Sequence, residues 1–205
     1  MIRKKLTSTK LLDRIMCLTI LSLIAFFAIT IISYICLPEG FLLNKNNVTD
    51  FITSSNLIIS TIQIFLWNMI SVSAIIISSF FANKRKEEQE YISLSYLVYF
   101  IGIFLAAITL GTWSFTNNIN SVPIFERIIG MFNIFENAGL VEIYGQLLIT
   151  CALANKYIVM IFKNKTAIKN IKDVKWTKSE VICIIVGLLF MLIGALIESN
   201  SILSV

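Results

Sequence analysis

The residues placed to do chemistry in this chain are polar groups set into long apolar runs: Gln63, Asn68, Asn117, Asn118, Glu142, Gln146, Thr150 and Glu198. An ionisable or amide side chain in such a run is costly to bury and marks a ligand path, a partner contact or a proton relay. Glu142, Gln146 and Thr150 follow one another at intervals of four, which puts them on one face of a helix. Glu198 ends another apolar run, Asn117 and Asn118 end a third, and Gln63 and Asn68 sit within a fourth. Folded together, these groups could form one polar cluster opening to one side of a membrane. It would bind a polar ligand or a partner's transmembrane segment, or its members would hydrogen-bond to one another and hold the helices together.

Other chemistry is poorly provided for. The chain has no histidine, which removes His-based acid–base catalysis, His-containing triads and His ligation. The cysteines, Cys17, Cys36, Cys151 and Cys183, fall singly inside apolar runs. They lack the close pairing of a metal site or redox motif and read as small buried apolar residues. Glu142 and Glu198 could imitate a glycosidase pair, but nothing fixes their separation or supplies a sugar groove. The expectation is a protein that is not an enzyme and takes no cofactor or metal.

The elements that must position these groups follow from hydropathy. Of 205 residues, 57% are hydrophobic and 14% charged, with a mean hydropathy of +0.85. A water-soluble domain of this size could not hide so much apolar surface, whereas a bilayer accepts it. Apolar runs over 15–37, 57–81, 92–115, 140–162 and 181–197 are each of spanning length. They predict one all-α, polytopic membrane helix bundle of about five transmembrane helices occupying residues 1–205. The basic front of the first run imitates a signal peptide, but the run is too long and no A-x-A site follows, so it reads as an uncleaved helix. Between the third and fourth runs, Ile124, Phe125, Ile128, Met131, Phe132 and Phe135 recur at helical spacing. Residues 123–135 therefore predict a short amphipathic helix on or in the outer leaflet, or a loop helix packed on the bundle.

The formal charge of +5 lies in short clusters between the apolar runs. That is the pattern of membrane loops and not of a nucleic-acid surface. Five bases precede the first run, three follow the second and seven lie from Lys156 to Lys178, while the opposite side has only Lys45 and Arg127. The asymmetry places the amino terminus in the cytoplasm and the carboxyl terminus outside. Lys163 to Lys178 either fixes this topology or meets anionic headgroups or a cytoplasmic partner. The abundance of Ile and the excess of Lys over Arg suggest an AT-rich bacterial genome, hence a bacterial cell membrane. Gly102 with Ala106, Gly187 with Gly194, and Ser71, Ala74 and Ser78 mark faces where helices could approach. The expected partners are lipid, other membrane proteins and a second copy of the chain.

Three stretches, read together, resemble the stage II sporulation protein M family of bacterial membrane proteins. F-L-W-N-M-I-S-V-S-A-I-I-I at Phe65–Ile77 is similar to its asparagine-bearing second helix. N-A-G-L-V-E-I-Y-G-Q at Asn137–Gln146 is similar to its H-G-x-x-E motif, and L-I-G-A-L-I-E-S at Leu192–Ser199 to its closing helix with a terminal glutamate. Asn68, Gly139, Glu142 and Glu198 match, whereas Ala138 stands at the histidine position, so this chain departs from the sporulation protein itself there. The resemblance implies a non-enzymatic membrane component. It would be a scaffold for cell-wall-degrading partners in sporulation, or an accessory factor for export, maturation or immunity in a circular-bacteriocin cluster. With the polar residues already named, it makes Asn68, Asn117, Gly139, Glu142, Gln146 and Glu198 the candidate partner- or ligand-binding set. The competing reading is a small transporter or channel using the polar cluster around Glu142, although no inverted repeat is visible.

Overall fold

In lipid a backbone must satisfy its own hydrogen bonds, so uncharged runs of this length fold as helices. The computed structural model describes residues 2–43, 54–84, 90–114, 122–130, 132, 138–163 and 165–203. A short α1 (Ile2–Leu6) leads into α2 (Leu11–Cys36), which stops where Leu37 leaves the helical conformation ahead of Pro38. α3 (Leu57–Ser79) is started by the Asn56 side chain, which accepts from the backbone N–H of Ile58 and Ile59. β1 (Phe81–Lys84), β2 (Ile92–Ser93) and α4 (Ser95–Gly111) follow, then α5 (Ile124–Gly130) and α6 (Gly139–Leu153). The chain closes with β3 (Val159–Phe162), β4 (Lys165–Ile168), a 3₁₀ turn (Ile171–Asp173) and α7 (Lys178–Leu203).

α2, α3 and α7, with 26, 23 and 26 residues, are long and apolar enough to cross a membrane. α4 and α6 are shorter apolar helices of 17 and 15 residues. The bundle is inside-out relative to a soluble one. On α2, Ile20, Ile24, Ile31 and Ile35 are exposed while Ser22, Thr30 and Ser33 are buried. These hydroxyls bond to their own helix: Ser22 donates to the Thr19 carbonyl and Thr30 to the Phe26 carbonyl, each at 2.9 Å, and Ser33 to the Thr30 carbonyl at 3.0 Å. An apolar exterior over small, internally satisfied polar groups is the packing that lipid favours. α6 is the centre of the bundle, packed on α2, α3, α4 and α7, with every residue from Leu147 to Leu153 buried. It meets α7 backbone to backbone: a Cβ on Gly145 would lie 2.7 Å from the Gly187 carbonyl oxygen.

Two ends are distinguishable. α2, α4 and α7 begin where α3 and α6 finish, and at that end the chain forms a four-stranded sheet in the order β2-β1-β3-β4. α3 and α6 run the same way, so the strands leaving them, β1 and β3, pair in parallel, Phe81 with Val159 through Lys84 with Phe162. β2 and β4 join the two edges as antiparallel partners.

This sheet corrects the all-α expectation. The apolar run 140–162 is not one helix: α6 ends at Leu153 and Val159–Phe162 is a strand. β-branched and aromatic residues fit a pleated sheet, and β1 offers them backbone partners. The run 92–115 likewise splits into β2 and α4, while 57–81 gives way to β1 at Phe81. The first and last runs are extended instead. α2 starts at Leu11 and α7 covers Lys178–Leu203, because polar side chains at both ends find partners and the helix continues past the apolar window. Glu198 therefore lies inside α7. Of the amphipathic segment 123–135, Ile124–Gly130 is helical; residues 131 and 133–137 lie outside the described residues, as does Asn117.

Candidate functional site

Glu142 is in the first turn of α6, facing α3 and α7. The Asn68 amide on α3 donates to its Oε1, and its side chain fills the space a Cβ on Gly194 would need. Gly194 is 14 residues along α7 from Glu180 at the sheet end, about 21 Å at helical rise. α6 thus begins well inside the bundle, and among the described residues no helix continues its line beyond the first turn. A cavity of about 610 Å³ lies there. Its walls are apolar, from Phe26 of α2, Leu110 of α4, Ile143 of α6 and Ile202 of α7, with Gly139, Glu142, Glu198 and Glu126 supplying polar groups.

Among the described residues, the one cation lining the cavity is already engaged. Arg127 of α5 is buried and holds the end of α4: its Nη1 donates to the Gly111 carbonyl, its Nε to the Val122 carbonyl at 2.6 Å and its Nη2 to Glu39 at 2.7 Å. The guanidinium lies over the Tyr34 and Trp113 rings at 5.0 and 5.1 Å. Among the described residues, neither Glu142 nor Glu198 has a cationic side chain within ion-pair distance.

A second charged centre lies at the sheet end. Glu180 accepts from Arg14 Nη2 at 3.0 Å and from Lys156 Nζ at 2.6 Å, and all three residues are buried. Arg14 also donates to the Ser8 carbonyl at 3.0 Å and Lys156 to the Lys175 carbonyl at 2.7 Å. The cluster ties the start of α2, the exit of α6 and the start of α7.

Of the predicted site residues, Asn68, Gly139, Glu142 and Glu198 gather at the cavity or its floor. Gln146 does not line it: one turn along α6, its Oε1 faces Gly102 of α4. Arg127 and the Arg14–Glu180–Lys156 cluster escaped the sequence reading. A signal for the cluster existed in T-K-S-E at Thr177–Glu180, a capping box in which Thr177 N–H donates to Glu180 at 3.0 Å and Glu180 N–H to Thr177 Oγ1 at 3.3 Å. Among the described residues no group of three potential ligands could hold a metal ion. Compared with known proteins, the chain is matched by no family model, no curated protein and no solved structure.

Proposed function

We propose that this protein is a non-enzymatic accessory or scaffold subunit of a bacterial cell membrane, built on five crossings with the sheet end in the cytoplasm, that captures a partner's transmembrane segment at the outward cavity. The observation that carries the reading is that two of the carboxylates lining the cavity, half-buried Glu142 and exposed Glu198, lack a cationic partner among the described residues, while the buried charges Arg14, Lys156, Glu180 and Arg127 are all paired. An uncompensated carboxylate in a low-dielectric site is costly, and an incoming cation removes that cost. The cavity of about 610 Å³ supplies room, and the distribution of lysine and arginine supports the orientation. The resemblance of Asn68, Gly139, Glu142 and Glu198 to the sporulation family supports the same role, in cell-wall remodelling or beside a bacteriocin exporter or immunity system.

Purification from the native membrane in mild detergent tests this. A specific membrane partner should accompany the wild-type chain and be lost from Glu142→Gln/Glu198→Gln. Repeated recovery of the chain alone counts against the proposal.

One observation favours a second reading, a small transporter. α6 is a short helix of 15 residues whose amino-terminal turn opens into the cavity, as helix termini do at substrate sites of transporters. Flux of a charged solute through reconstituted protein, abolished by Glu142→Gln, would select it.

A further inference from the structure

The opposite end of the molecule presents a surface of different chemistry. The β3–β4 hairpin and the chain up to α7 carry Lys163, Lys165, Lys169, Lys172, Lys175 and Lys178 against one acid, Asp173. All four residues of β4 are exposed. Among the lysines stand large apolar side chains that nothing in the described chain covers: Ile168, Ile171 and Trp176 are 76%, 71% and 49% exposed. A basic loop meant for water has no use for such side chains, whereas the headgroup layer accepts both kinds, phosphates taking the ammonium groups and the glycerol region the rings and branched chains.

The depth of this surface is fixed independently. Trp176 lies against the Lys156 ammonium, 5.1 Å from ring centroid to Nζ, and that ammonium is bound to Glu180 in the first turn of α7. The indole is thereby held where an apolar span begins. Around it, Lys169 sits over the Tyr157 ring at 4.8 Å, Lys84 over Tyr91 at 5.6 Å, and the two tyrosine rings pack 6.1 Å apart. Tyrosine and tryptophan beside lysine at the end of a span is the composition of a membrane–water interface.

We infer that the β3–β4 hairpin and the segment through Trp176 lie in the headgroup layer at the sheet end and bind anionic lipid, so that the small sheet is a lipid-reading platform. The inference is independent of the scaffold reading and needs only that the long helices are in the bilayer.

The full chain in nanodiscs tests it. Ile171→Cys, in a Cys36→Ser background that removes the one exposed native thiol, would carry an environment-sensitive fluorophore. Its emission should shift to the blue in phosphatidylcholine mixed with phosphatidylglycerol relative to phosphatidylcholine alone, and the shift should diminish with salt. The unlabelled protein purified from mixed lipid should retain phosphatidylglycerol. Lys165→Gln/Lys169→Gln/Lys172→Gln should weaken that retention on the order of a hundredfold, since each lysine near an anionic surface supplies roughly a fivefold gain. Equal emission in the two lipids, or equal retention by the triple variant, would overturn the inference and leave the lysines to an acidic protein.

Discussion

Replacing Glu180 by glutamine isolates the energetics of the buried charge cluster. Glutamine keeps a side-chain oxygen for the capping box at Thr177, so the start of α7 is preserved. What disappears is the single negative charge facing Arg14 at 3.0 Å and Lys156 at 2.6 Å, in a place where Arg14 is 0% exposed. Two cations then remain buried without a counter-charge, and removing one partner of such a group costs about 3–5 kcal/mol. At about 2–4 °C per kcal/mol for a chain of this size, the midpoint of thermal unfolding should fall by about 6–20 °C. Thermal melts in one mild detergent, followed by intrinsic fluorescence, measure it. Adding Arg14→Met and Lys156→Met to Glu180→Gln should recover most of the loss, because no unpaired charge is left. A single variant that melts within a degree or two of the wild type would refute the idea that this ion cluster ties the start of α2, the exit of α6 and the start of α7.

Glycine substitutions should separate a close helix contact from open space. Gly187→Ala sets a methyl 2.7 Å from Ile149 Cγ1 and 2.8 Å from the Gly145 carbonyl oxygen; the backbone cannot yield, so overpacking should cost about 1–3 kcal/mol in the same melts. Gly139→Ala, where an added Cβ meets no atom of the described residues within 4 Å, should stay within about 0.5 kcal/mol. Glu142→Lys replaces an acceptor bonded to Asn68 by an ammonium deep in the bundle, which should destabilise by about 3 kcal/mol and lower the amount of protein recovered from membranes. Unchanged abundance and melting would place residue 142 outside the hydrocarbon depth.

The three long helices, α2, α3 and α7, were legible because an uncharged run of spanning length has few alternatives in lipid. Asn68, Glu142 and Glu198 stood out for the same reason, as polar groups in apolar sequence. The sheet was hidden because Val159–Phe162 has the same hydropathy as the helix before it, and a four-residue strand has no periodicity to read. Its existence depends on β1, some 80 residues earlier, being brought alongside by two helices that run in parallel. Arg127 with Glu39 and Arg14 with Glu180 were invisible for a related reason. They pair across 88 and 166 residues, and hydropathy along the chain carries no record of such partners. Arg14 and Lys156, counted as loop charges, are in fact buried parts of the bundle. The remaining described lysines still gather at the sheet end, so the charge asymmetry survives the correction.

The proposed topology puts the sheet end in the cytoplasm and has α2, α3, α4, α6 and α7 cross the bilayer alternately. Single cysteines at two exposed positions, Lys165→Cys on β4 and Asn200→Cys near the end of α7, with Cys36 replaced by serine, address this directly. In intact cells a membrane-impermeant maleimide should label Asn200→Cys, and should label Lys165→Cys only after the membrane is opened. Labelling of Lys165→Cys from outside, with Asn200→Cys protected until permeabilisation, would contradict it.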